Sequence, residues 1–198
     1  MSTDPSVSAE HRAAIDAVVR PIGKSIYGTD VPFSELDRYL GDLERYYGLD
    51  LSPSFQRGRV WRKAQQQHFI ENVLRGIVPQ SLLTLQFNVP QWDNPVPGDL
   101  PFTATIIDGL QRLTAIRAFL SGEVEPFGLS HDDLRGTRYD PKVHWSNWFV
   151  RITIFDFKWN HALLSHYLAI NSGGTPHTEA ELDRVRAMLA GAPAPPRA

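Results

Sequence analysis

The 198-residue sequence contains no cysteine. That absence excludes a disulfide framework, a thiolate zinc site, a cysteine nucleophile and a thiol redox centre. Long apolar runs are missing too, and none approaches the roughly 18 residues that a membrane-spanning helix needs. The polar opening Met1–His11 lacks the apolar segment of an export signal, so the expectation is a soluble cytoplasmic protein. Nor is there an excess of charge of one sign: 20 Lys+Arg stand against 22 Asp+Glu, a formal net charge of −2. No global basic field draws the chain to nucleic acid, although that leaves room for a local basic groove. What is present is ordinary in amount. At 42% hydrophobic and 21% charged residues the chain is not wholly disordered, and its length suits one domain with a substantial core.

Punctuation along the chain divides it into a partly helical lead-in (1–32), a main domain (33–190) and a flexible Pro/Ala-rich tail (191–198). Ala13 to Val19 reads as helix, broken by Arg20, Pro21 and Gly23. Phe33, Leu36, Tyr39, Leu40, Leu43 and Tyr46 recur at helical spacing up to Gly48, with Ser34 and Asp37 as a capping box. A second helix is predicted over 62–75, its apolar stripe Phe69, Ile70, Val73, Leu74 and Ile77. Leu83, Leu85 and Phe87 alternate with Thr84 and Gln86, which predicts a half-buried strand over 81–87, followed by a proline-rich surface loop over 89–102. A strand over 103–107 then leads through Asp108 and Gly109 into a helix over 110–120. Another strand (149–157) and helices over 161–170 and from Thr178 to about Leu189 complete the pattern. Helices and strands mix without a regular βαβ repeat, which favours an α+β fold.

The segment Thr105–Thr114 is the richest in chemistry. A strand that empties through Asp108 and Gly109 into a helix places unpaired N–H groups and the positive helix end at the strand tip, a natural anion site. Gly109 permits close approach of a ligand, Arg112 offers a guanidinium for phosphate, and Asp108 can orient a hydroxyl or hold Mg²⁺. Gln111 and Thr114 share the polar helix face. Asp108 as a plain N-cap and Arg112 as a surface charge account for the same pattern equally well. A second cluster, Pro53–Lys63, carries Arg57, Arg59, Arg62 and Lys63 with Phe55 and Trp61 interleaved, suited to phosphates and base stacking, or simply a solvated basic loop with aromatics turned inward. The third, Asn171–Pro176, contains Gly173 and Gly174, which form either an anion nest or a helix stop. Walker A, Gly-x-Gly-x-x-Gly and His-Glu-x-x-His patterns are absent. His161 and His166, five apart on a helix, point in different directions and are poor joint metal ligands.

Taken together and in order, Pro53–Trp61, Ile70–Pro79, Asp108–Thr114 and Asn171–Pro176 resemble the N-terminal domain of GmrSD-type restriction endonucleases, within the ParB/sulfiredoxin superfamily. The likeness spans roughly residues 33–185. It implies a ParB/sulfiredoxin-like small mixed sheet flanked by helices, and a domain that binds and hydrolyses a nucleoside triphosphate (NTP) with Mg²⁺. By position, Asp108, Gln111 and Arg112 would be catalytic, with Asp108 also the metal ligand. Gln56, Arg57, Gly109, Thr114, Asn171, Gly173 and Gly174 would bind the nucleotide, and Arg59, Arg62 and Lys63 would face nucleic acid. The implied setting is defence against phage or modified DNA. A phosphotransferase acting on a hydroxyl of a modified base or small molecule is one alternative, and a non-catalytic DNA- or protein-binding module another. Two departures stand out. Leu110 replaces the first Gln of the family's Asp-Gly-Gln-Gln-Arg motif, which bears on catalysis more than on binding. The sequence also shows no His-Asn-His nuclease constellation, so an effector subunit would act in trans.

Overall fold

The computed structural model describes residues 7–58, 60–92, 97–140, 148–171 and 179–193. Its centre is a mixed sheet of five strands: β1 (Tyr27–Pro32), β2 (Leu49–Asp50), β3 (Thr84–Asn88), β4 (Ala104–Asp108) and β5 (Phe149–Phe155), in the order β1-β5-β3-β4-β2. β5 pairs antiparallel with β1 and parallel with β3, while β4 pairs antiparallel with β3 and parallel with β2. The β-branched run of β5 explains its central place. Val150, Ile152 and Ile154 are buried on one face, whereas Arg151 is exposed and donates to Asp30 directly opposite it on β1 at 3.1 Å.

Helices cover both faces of this sheet. Helices α2 (Leu36–Tyr47), α3 (Lys63–Leu74) and α4 (Leu110–Leu120) close the main core over Leu85, Phe87, Ile106, Ile152 and Ile154. Helices α6 (Asn160–Asn171) and α7 (Glu179–Gly191) contribute Leu163, Leu164, Tyr167 and Val185 to a second cluster with Phe55, Ile107, Phe155 and Phe157. Ile106 and Ile107 are both fully buried although they point to opposite faces, the signature of a strand covered on both sides. The α+β class expected from the sequence is what the chain adopts.

Several local expectations are corrected. β1 forms before residue 33, where the sequence pattern predicts no strand. Its sequence, Tyr-Gly-Thr-Asp-Val-Pro, buries only Val31, so its own pattern carries little signal. The first helix, α1 (Ala9–Val19), forms as expected but buries no residue. Ser34 and Asp37 make no capping box: a 3-10 turn over Phe33–Glu35 precedes α2, the Ser34 hydroxyl is buried with no partner among the described residues, and Asp37 pairs with Arg117 at 2.9 Å. Ile77 lies beyond the Gly76 stop and is 62% exposed, so it leaves the α3 stripe. The 89–102 segment is not purely surface, because Val89 and Pro90 are buried against the main core and the Lys158 side chain. A short helix, α5 (His131–Leu134), was not anticipated, and it carries a Ser130–Asp133 capping box. The Thr178–Glu181 capping box lies outside the described residues at its Thr178 end.

Candidate functional site

The junction of β4 and α4 organises the site. Gly109, at φ +96°, turns the chain from strand to helix and occupies the N-cap position, where no side chain caps α4. Asp108 is therefore not the N-cap. A Cβ on Gly109 would stand 2.6 Å from Leu85 Cδ2 and 2.9 Å from the Thr84 carbonyl oxygen, so the turn needs glycine for space as well as for φ. With no side-chain cap, the first N–H groups of α4 stay available to an incoming anion.

Arg112 lies one helical turn on and folds back over this junction. Its Nε and Nη2 both donate to the Thr84 carbonyl, at 3.2 and 3.0 Å, and Nη2 also donates to Asp108 Oδ2. The guanidinium is thereby fixed in orientation, with Nη1 making no bond among the described residues. Gln56 reaches the same strand from the 53–57 segment, donating from Nε2 to the Ile107 carbonyl at 2.6 Å and more weakly to that of Ile106 at 3.4 Å. Gln111 clamps the next stretch of chain. Its Oε1 accepts from the backbone N–H groups of Val60 and Trp61, both at 3.1 Å, and its Nε2 donates to the Gly58 carbonyl at 2.9 Å.

These side chains line one open cleft of about 320 Å³, shared by Gln56, Arg57, Asp108, Gly109, Gln111, Arg112 and Asn171. Seven sequence-nominated residues from three distant segments thus converge. Trp61, Leu82, Ile107, Leu110 and Ile170 supply its apolar wall. Two arginines against one carboxylate make the lining net positive. Asn171 is steadied by donation from Nδ2 to the Tyr167 carbonyl at 2.8 Å.

Of the other nominated residues, those that the structure describes lie elsewhere. Thr114 bonds back to the Leu110 carbonyl at 2.8 Å and lines a separate cavity of about 470 Å³ with Asp37, Gln66 and Arg117. It shares the polar face of α4 with Gln111, but one further turn carries it past the cleft. Arg62 and Lys63 are exposed at the start of α3 and do not line the cleft. Arg59, Gly173 and Gly174 lie outside the described residues.

Sequence reasoning missed α7 as a contributor. Glu181 stands 4.0 Å from Arg57, and Arg184 Nη2 donates to the Gln56 carbonyl at 3.2 Å, so α7 braces the 55–57 segment from the second face. The sequence marks Glu181 only as part of a capping box, and nothing in the local pattern marks Arg184. Beneath them the Tyr167 hydroxyl is pushed up to about 12, chiefly by burial, and stays protonated at neutral pH. His166 packs against Phe155 and Phe157 with ring centroids at 4.5 and 5.2 Å, and its Nε2 meets Gln86 Oε1 at 3.2 Å. Burial lowers its pKa, an effect the nearby Asp108 charge opposes. Among the described residues, no group of three or more His, Asp or Glu is placed to hold a metal. No helix there is long and apolar enough to cross a membrane.

Fold and site together define an α+β domain whose cleft is built on a strand–Asp-Gly–helix junction with a pinned arginine. Residues 40–167 match the model of one family, the N-terminal domain of the GmrSD restriction endonuclease, and the chain belongs to that family. The domain type is thus that of a restriction system. No curated protein and no solved structure gives a significant match.

Proposed function

We propose that the cleft binds the phosphates of a nucleoside triphosphate and hydrolyses it, in service of a DNA transaction such as defence against phage or modified DNA. The observation that carries this reading is the convergence of Arg57, Arg112 and the uncapped start of α4 on one cleft. Arg112 holds the negative charge of the transferring phosphoryl oxygens, and its two hydrogen bonds to the Thr84 carbonyl pre-organise it for that task. Arg57 is the second cation.

Mg²⁺ fits this donor set in one way. Among the described residues Asp108 is the sole carboxylate lining the cleft and one of its oxygens is committed to Arg112, so the other oxygen would be the protein ligand of an ion carried on the phosphates. The ion would neutralise charge on bridging and non-bridging oxygens. Gln111 is not free to place an attacking water, because both ends of its amide are spent on the backbone. That commitment, with Leu110 buried where the family motif has a glutamine, favours a second reading in which nucleotide is bound without turnover.

A nucleotide panel assayed for binding and phosphate release, with Mg²⁺ and with or without DNA, tests these readings. Release that Arg112→Ala abolishes supports hydrolysis, and binding without release supports the second reading. Label passing from the γ-phosphate to a hydroxyl acceptor would identify a phosphotransferase. No binding of any nucleotide would sink the proposal.

A further inference from the structure

We infer that Trp61 is the platform on which the base of the bound nucleotide stacks, an inference that rests on the phosphate-site reading above. The phosphate machinery uses the polar lining of the cleft; Trp61 and Ile170 also pack against the two core clusters, but the apolar surface they turn to the cleft has no part in holding phosphate. Trp61, Leu82 and Ile170 face the same cleft as Arg57 and Arg112. A site for phosphate alone has no use for an indole and two aliphatic chains, whereas a nucleotide joins a planar apolar ring to its phosphates. At about 320 Å³ the cleft is at the small end of ligand sites, suited to one nucleotide.

The indole is held for this role from two sides. Its ring packs against Phe69 with centroids 5.3 Å apart at a tilt of 57°, and this contact anchors it on α3. Its backbone N–H is gripped by Gln111 at 3.1 Å, within a clamp that also takes the Val60 N–H and the Gly58 carbonyl. Gln111 is thereby a positioning residue. It couples the helix that starts at the phosphate site to the loop that carries the ring. Stacking reads the face common to all bases, so the platform supplies affinity with little discrimination among them.

The test compares a nucleoside triphosphate with inorganic tripolyphosphate on wild type, Trp61→Phe and Trp61→Leu, by calorimetry and tryptophan emission. Trp61→Leu is expected to weaken nucleotide binding roughly 10- to 100-fold while leaving tripolyphosphate within about twofold. Trp61→Phe, which keeps a ring against Phe69, should fall between and should lose the emission change that nucleotide alone evokes. Equal weakening of both ligands by Trp61→Phe, or unchanged nucleotide affinity in both variants, overturns the inference. Failure of wild type to bind even tripolyphosphate overturns the phosphate site itself, a separate outcome.

Discussion

Arg112 and Thr84 are joined by two hydrogen bonds to one oxygen: the guanidinium Nε and Nη2 both donate to the Thr84 carbonyl, at 3.2 and 3.0 Å. The first residue of β3 thereby sets the aim of a side chain on α4, and Asp108 at the end of β4 closes the arrangement through Nη2. Neither the strand end nor the helix could place the arginine alone.

Arg112→Ala should therefore lower nucleotide turnover, or affinity if turnover is absent, by roughly 100-fold. Arg112→Lys should not restore it, since one ammonium cannot span the carbonyl, the carboxylate and a phosphate in that fixed fork. Because the pair is partly exposed, the cost to folding should stay near ~1 kcal/mol. Steady-state phosphate release beside urea melts separates the two effects. A fully active lysine variant would contradict the geometry.

Gly109→Ala should destabilise the fold by about 3 kcal/mol, through left-handed φ together with contacts at 2.6 Å to Leu85 and 2.9 Å to the Thr84 carbonyl. Gly76 is the matched comparison, since it also has positive φ but nothing within 4 Å of its Cβ position. Gly76→Ala should cost only about 1 kcal/mol. Equal urea midpoints for the two variants would show that space at the β4–α4 junction is not what demands glycine.

How far the sequence reaches is visible in these same residues. The Asp108–Arg112 junction was legible because a β-prone run, a glycine and an apolar helical stripe follow each other directly, and period and punctuation are local signals. Gln56, Arg57 and Asn171 joined it only by way of the family pattern, since local spacing cannot say that residue 56 meets residue 107. Thr114 shows the limit of the helix wheel, which records angle and ignores rise. Strand β1 and Arg184 were invisible for a different reason. Their placement comes from partners, Ile152 and Ile154 of β5 in one case and the carbonyl of Gln56 in the other, with no pattern of their own.

Gln111→Ala should loosen the chain at Gly58, Val60 and Trp61 with little global cost, because the three bonds lost lie at or near the surface. Limited trypsin digestion should then cut faster at Arg62 while the thermal midpoint stays within a few degrees of wild type. Gln111→Glu keeps an acceptor for the Val60 and Trp61 N–H groups but turns a carboxylate toward the Gly58 carbonyl, so its digestion rate should lie between the two. Unchanged digestion in both would mean the clamp is incidental.

His166 should make folding stability fall with acidity through a window set by its lowered pKa. In the unfolded chain the ring takes up a proton at the ordinary value of 6.5, while in the fold its burial against Phe155 and Phe157 resists the charge until lower pH. The unfolded state therefore binds more protons below that value. Stability is full above about pH 6.5 and drains as pH falls toward the folded pKa, by at most about 1.4 kcal/mol per pH unit. Urea midpoints at pH 7.5 and 5.5 should diverge less in His166→Phe than in wild type, and the difference between the two proteins cancels the other titrating groups. Asp108 works against the shift by favouring the charged ring, so Asp108→Asn should lower the His166 pKa further and steepen the loss. A pH dependence identical in wild type and His166→Phe would remove the histidine from this account and leave its contact with Gln86 as packing alone.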